Sequence, residues 1–186
     1  FPKAIFPGDY PDPSILRDGK DYYMTHSPFY YAPGFLIWHS TDLMHWEPVC
    51  RALPEYEGSA MAPDLLKYQG RYYIYYPTST GENYVIYADN IRGPWSKPVK
   101  LDVKGIDPGH VVGEDGKRYL FTNNGWITPL SDDGLKVTGK SRKVYDGWEY
   151  PGNWVTEGKD MYLESPKLLY KDGYYYMMSA EGGTAG

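Results

Sequence analysis

A repeat constrains this chain more than any other feature. Segments 12–24, 62–74, 107–120 and 164–177 share one pattern: a short apolar run, a turn built on glycine, then a tyrosine-rich run. The turns are Asp18-Gly19, Gln69-Gly70, Asp115-Gly116 and Asp172-Gly173. Such a dipeptide between two strand-like runs marks a tight β-hairpin. The anchor residues Tyr23, Tyr73, Tyr119 and Tyr176 are 50, 46 and 57 residues apart. That period matches one four-stranded propeller blade, and a two-sheet sandwich does not predict it. Residues 40–46 and 88–95, ending on Trp46 and Trp95, recur after their hairpins and read as signals for the outer strands.

The expected fold is therefore an all-β, five-bladed β-propeller, with residues 1–186 forming about the first three and a half blades. The fourth hairpin is followed by no outer strands. A closed ring protects its edges, so another full blade is expected downstream and the domain spanning 1–186 is expected to be incomplete at its C-terminal side. The chain opens on Phe1 rather than Met, so an N-terminal segment is expected to have been removed or left out.

Composition agrees and narrows the function. The 21 Tyr suit half-buried sheets, where the ring packs and the hydroxyl finds a partner. The 21 Gly and 16 Pro point to many turns. A net charge of -5 argues against a nucleic-acid or membrane-surface partner. No apolar run approaches membrane-spanning length. Cys50 stands alone, so no internal disulfide or zinc cluster can form.

In a propeller the first strand of each blade lines the central channel, so equivalent repeat positions meet around the axis. Counted back from the hairpin glycines, Asp12 lies 7 residues before Gly19, Asp107 lies 9 before Gly116 and Glu164 lies 9 before Gly173. Ala62, 8 residues before Gly70, gives the second blade a small residue there. Asp-Pro and Glu-Ser-Pro also form turns at strand starts, but three acids at matching offsets favour chemistry. Carboxylates sharing a cavity repel, so one keeps its proton. A protonated acid beside an ionised carboxylate is what glycoside hydrolysis requires. Asp64, within Ala62-Pro63-Asp64-Leu65, is a rival that reads better as a backbone-orienting residue.

At these positions the sequence resembles glycoside hydrolase family 43, from Pro7 to Gly183. Pro7-Gly8-Asp9-Tyr10-Pro11-Asp12-Pro13-Ser14 resembles the family's opening motif, which implies that Asp12 is the general base. Gly105-Ile106-Asp107-Pro108 resembles the motif whose Asp orients the acid, implying that role for Asp107. Leu163-Glu164-Ser165-Pro166, followed by Lys167, resembles the general-acid motif and implies Glu164 as the acid. The stretches Phe29–Ser40 and Ala180–Thr184 resemble the β-xylosidase branch, where the residue matching Phe29 walls the sugar pocket. Two positions depart from the family: Ser165 replaces the common Gly after the acid, and Met61 stands where Trp often precedes Ala-Pro-Asp.

The resemblance implies an inverting glycoside hydrolase with water as nucleophile. It would release xylose or arabinose from plant cell-wall polysaccharide or oligosaccharide, with β-xylosidase first and α-L-arabinofuranosidase next. A carbohydrate-binding propeller without catalysis is the alternative. The expected catalytic set is Asp12, Asp107 and Glu164. The expected substrate-binding set is Phe29, Met61, Ala62, His26 and Trp126. No metal ligand and no cofactor for the chemistry are expected; the family sometimes holds a structural calcium, which residues outside this chain would bind. Expected partners are a saccharide substrate and a C-terminal accessory domain, with no nucleic acid and no membrane span. Polymer substrates imply an extracellular or periplasmic location. His110 follows a channel strand and could reach a sugar, whereas His39, His45, Trp38, Trp46 and Trp95 read as blade packing. Trp148, Trp154, Glu157 and Asp160 lie in a Gly-containing stretch expected to be a surface loop, and neither acid there is followed by Pro and a hairpin.

Overall fold

The computed structural model describes residues 5–56, 58–147 and 163–182. It is all-β, with antiparallel sheets. Among the described residues the one helical element is a 3₁₀ turn at Asn123–Gly125. Trp148, Trp154, Glu157, Asp160 and Gly183 lie outside the described residues.

The chain divides into two compact units, Phe1–Thr80 with Tyr84–Lys100, and Gly81–Asn83 with Leu101–Gly186. The first unit holds the sheet β1 (Ser14–Asp18), β2 (Asp21–Thr25), β3 (Gly34–Ser40) and β4 (Glu47–Leu53), in that order. It also holds nearly all of a second sheet: β5 (Asp64–Tyr68), β6 (Arg71–Pro77), β7 (Asn83–Ala88) and β8 (Val99–Leu101). Each is an up-and-down meander, the strand order of a propeller blade. The second unit holds a third four-stranded sheet, β9 (Gly109–Val112), β10 (Arg118–Thr122), β11 (Trp126–Pro129) and β12 (Arg142–Lys143). A two-stranded sheet of β13 (Leu163–Lys171) and β14 (Tyr174–Glu181) follows.

The four repeats are the four hairpins that open these sheets. Their turns differ in detail. Gln69-Gly70 and Asp172-Gly173 are two-residue loops with positive φ at both positions, the conformation that follows strand twist. In the first hairpin Asp18 already pairs with Asp21, so the loop is Gly19-Lys20. In the third, Val112 pairs with Arg118 and the loop takes the five residues between them.

Residues 40–46 are not the outer strand itself. They form the turn between β3 and β4, where the Asp42 carboxylate accepts the N–H groups of Met44 and His45 and the Ser40 hydroxyl accepts that of Leu43. Residues 89–95 make the matching turn after β7, with Asn90 accepting the Arg92 N–H. Short polar side chains that satisfy nearby N–H groups favour a turn over a ladder. The two tryptophans close these turns, Trp46 Nε1 donating to Leu43 O and Trp95 Nε1 to Ile91 O.

The core of the first unit lies between its two sheets. Phe35 and Ile37 of β3, Ala52 and Leu53 of β4, and Ile74 and Tyr76 of β6 are buried against one another. Side chains of this size each contribute about 1.5–3 kcal/mol when removed from water. Polar links at the outer end fix the same pair of sheets: Lys67 Nζ and the Tyr72 hydroxyl both donate to Asp18, at 2.7 and 2.5 Å. In the second unit the Tyr175 hydroxyl donates to Val112 O at 2.9 Å and fastens β14 to β9.

Candidate active site

Each opening hairpin is entered through the same backbone device. Asp12, Ala62, Asp107 and Ser165 all have left-handed φ, of 52°, 41°, 57° and 49°. Each is followed by proline, at Pro13, Pro63, Pro108 and Pro166. A non-glycine residue held there costs about 1–3 kcal/mol and persists only where its surroundings over-determine it. Backbone conformation therefore aligns the repeats more sharply than counting from glycines. Asp12, Ala62, Asp107 and Ser165 are equivalent, and Glu164 sits one residue earlier, matching Pro11, Met61 and Ile106. Asp107 and Glu164 share an offset because the longer third turn adds one residue to the count from Asp107, whereas Glu164 lies one residue before Ser165. Asp64 corresponds to Ser14, the first residue of its sheet, and not to Asp12.

In the first unit, Ser27 organises the surroundings of Asp12. Its hydroxyl donates a short hydrogen bond to Asp12 Oδ2 and accepts the Ala62 N–H at 2.6 Å. The Ser27 N–H donates to Pro11 O at 2.9 Å. Ser27 is buried whereas Asp12 is open to solvent, so one carboxylate oxygen is fixed from below and the group still meets water.

Phe29 also has left-handed φ, at 47°, and its N–H donates to Ala60 O. Met61, half-buried beside Ala62, donates its N–H to Pro77 O. Ser27, Phe29, Met61 and Ala62 are thus held together with Asp12 through backbone bonds. His26 lies next to them. Its Nδ1 is 3.2 Å from Ser27 O, an acceptor, so Nδ1 carries the proton. Burial, assisted by the Arg51 charge, lowers the His26 pKa and keeps the ring neutral. Its Nε2 is buried and has no hydrogen-bond partner among the described residues. A cavity of about 420 Å³ opens between Tyr10, His26, Phe29, Tyr31, Trp38 and Arg51.

In the second unit, Asp107 is buried, at 9% exposure. Its Oδ2 accepts the Ser165 N–H at 3.2 Å, which puts the Glu164-Ser165-Pro166 turn directly against it. Lys167 Nζ donates to Pro108 O at 3.1 Å. Gly109 permits this approach: a Cβ there would lie 1.9 Å from Pro166 O. Asn123 holds the other side, its Oδ1 accepting the Ile106 N–H and its own N–H donating to Ile106 O. The half-buried Glu164 is flanked by Leu163, whose N–H reaches Asn124 Oδ1 at 3.3 Å, and its carbonyl accepts the Ser179 hydroxyl at 2.8 Å.

Trp126 opens β11, and Lys104 Nζ lies 3.6 Å from its ring centroid, so one face of the indole is already covered. His110 accepts a hydrogen bond from Nε of the buried Arg118 at 3.0 Å, a packing role for both. Among the described residues no group of three or more His, Cys, Asp or Glu could hold a metal ion.

The profile of the family described as Glycosyl hydrolases family 43 matches residues 1–186. The chain belongs to glycoside hydrolase family 43. It is similar to a xylosidase/arabinosidase of Butyrivibrio fibrisolvens, at 34% identity across 97% of this chain and 38% of that protein. A xylan 1,3-beta-xylosidase of a Vibrio species is 36% identical over the same shares of each chain. Among solved structures, a family 43 protein from Bacillus licheniformis superposes with a TM-score of 0.81 at 35% identity, covering 97% of this chain and 38% of that one. The chain thus spans 38% of the length of these relatives.

For this family 43 chain, the motifs of the sequence give no role to Ser27, Asn123 or Asn124. The bonds of Ser27 to Asp12 and Ala62 join residues 15 and 35 positions away. The Asn123-Asn124 pair marks a turn in the sequence, but nothing there says whose backbone it holds.

Proposed function

We propose that the protein carrying this family 43 chain is an inverting glycoside hydrolase. It releases xylose or arabinose from plant cell-wall polysaccharide or oligosaccharide, acting first as a β-xylosidase and next as an α-L-arabinofuranosidase. The observation that carries this reading is the pairing of the buried Asp107 carboxylate with the Glu164-Ser165 turn, with solvent-open Asp12 on an equivalent left-handed turn. The similarity to a xylosidase/arabinosidase and to a xylan 1,3-beta-xylosidase supports the substrate class.

In this proposal Asp12 is the general base. Ser27 fixes one of its oxygens and leaves the other to orient and deprotonate water. Glu164 is the general acid that protonates the departing glycosidic oxygen, and Asp107 orients the turn that bears it. Inversion requires the base and the acid to stand about 6.5–9.5 Å apart, which leaves room for water on the far face of the sugar. Phe29, Met61 and Ala62 wall the sugar, His26 lies behind them, and Trp126 offers the ring face that Lys104 leaves open. Residues 1–186 form the first part of a five-bladed propeller domain completed by further sequence and followed by an accessory domain. The site acts in an extracellular or periplasmic location, where polymer is met.

The test is turnover of nitrophenyl β-xyloside, α-L-arabinofuranoside and β-galactoside by the full-length protein, with proton NMR of the first-formed sugar. The xyloside is expected to be cleaved fastest, with release of the inverted anomer. Binding of xylo-oligosaccharide without any hydrolysis would overturn the catalytic reading, and release of the retained anomer would overturn inversion.

A further inference from the structure

We propose that Lys167 is a positioning residue for the Asp107–Glu164 pair, an inference that rests on the roles just proposed for those carboxylates. Among the contacts that join the two turns within the second unit, three bear on Asp107. Ser165 N–H meets Asp107 Oδ2 at 3.2 Å, Lys167 Nζ meets Pro108 O at 3.1 Å, and the Pro166 carbonyl fills the space where Gly109 lacks a Cβ. The first, at the long end of hydrogen bonding, bears on the Asp107 carboxylate itself. The third is an allowance of space and holds nothing.

Lys167 adds a second hold, of similar length, from the strand that carries Glu164. Its charge-assisted bond to the Pro108 carbonyl grips the peptide unit next to Asp107. The residue is half-buried on β13, two positions beyond Ser165. The lysine therefore draws from the same strand that presents Glu164, and tension along this link keeps Ser165 N–H on Asp107. In the other three repeats the equivalent positions carry Ser14, Asp64 and Gly109. In the first unit the Ser14 hydroxyl accepts the Leu65 N–H of the next sheet at 2.9 Å, so this register position serves as a link between neighbouring sheets there too. At Lys167 that link has moved next to the proposed acid.

The experiment compares Lys167→Met, which keeps the aliphatic stem and loses the donor, with Lys167→Arg, which keeps a donor of similar reach. Both are made in the full-length protein. On nitrophenyl β-xyloside, Lys167→Met is expected to lower kcat by about 10- to 100-fold with KM within a factor of about two, the scale on which misplacement of a reacting group is felt. Lys167→Arg should recover most of that loss. Amide hydrogen exchange at Ser165 is measured in parallel, and Lys167→Met should accelerate it relative to β1–β4. Unchanged kcat, or unchanged Ser165 exchange, in Lys167→Met overturns the inference. If Lys167→Met fails to fold, a Lys167→Arg enzyme with kcat as low as a Glu164→Gln enzyme overturns it as well, and recovery supports it. If the wild-type protein cleaves no glycoside, the proposed function fails, while faster Ser165 exchange would still uphold the clamp.

Discussion

The Asp107 carboxylate accepts the N–H of Ser165, a residue 58 positions later in the chain, at 3.2 Å. The first unit holds a counterpart: Asp12 is joined through the Ser27 hydroxyl to the N–H of Ala62. In both, a carboxylate on a left-handed turn is tied to the N–H of the left-handed residue that opens the next hairpin. One link is direct and the other has a hydroxyl inserted. Direct attachment removes Asp107 from water, whereas the serine lets Asp12 stay exposed, and this difference matches an orienting residue on one side and a water-activating base on the other.

Substitution of the proposed acid and base should be distinguishable by leaving group. Glu164→Gln should lose about 10²- to 10⁴-fold in kcat on xylobiose, whose leaving oxygen needs a proton. The loss should be much smaller on a dinitrophenyl xyloside, whose leaving group departs as the anion. Asp12→Asn should lose similar amounts on both substrates. Steady-state rates of the two variants on the two substrates check this, and equal selectivity in both variants would contradict the assigned roles.

Ser27→Ala removes the hydroxyl between Asp12 and Ala62. The Ala62 N–H is left buried without its partner, which costs about 1–3 kcal/mol of stability. Denaturant midpoints should fall accordingly. Because Asp12 also loses its anchor, kcat should fall more than KM rises. Ser27→Thr should restore part of both.

Gly109→Ala places a methyl group 1.9 Å from the Pro166 carbonyl. Backbone must move to relieve this, at about 1–3 kcal/mol for an overpacked site. The displacement acts on the Asp107–Ser165 contact, so activity should fall further than the stability loss alone explains. Thermal melts and kcat measured on the same preparation separate the two.

The link between β1 and the second sheet should make stability depend on acid. Hydrogen bonds from Lys67 and then from Tyr72 lower the Asp18 pKa below its ordinary value. A carboxyl whose folded pKa is depressed binds its proton more weakly than in the unfolded chain. Its stabilisation is therefore complete above about pH 4 and is lost as pH falls through the folded value. Urea midpoints between pH 5 and pH 2 should fall in the wild type and fall less steeply in Asp18→Asn.

The hairpins were legible in the sequence because their causes are local. Glycine at Gly70 or Gly173, between a short apolar run and a tyrosine-rich run, marks a hairpin turn, and a 46- to 57-residue spacing of such turns marks repeated sheets. Local motif also marked Asp12, Asp107 and Glu164, each beside a proline-containing turn. The tertiary structure decided the alignment among them. It made Ser165, not Glu164, the equivalent of Asp107, because the longer third loop adds one residue to the count from Asp107 without changing the pattern. It also set Ser27 on the Asp12 carboxylate, and Asn123 and Lys167 on the residues either side of Asp107. Their partners lie 15 to 59 residues away, and a contact across that separation exists only once the sheets have packed.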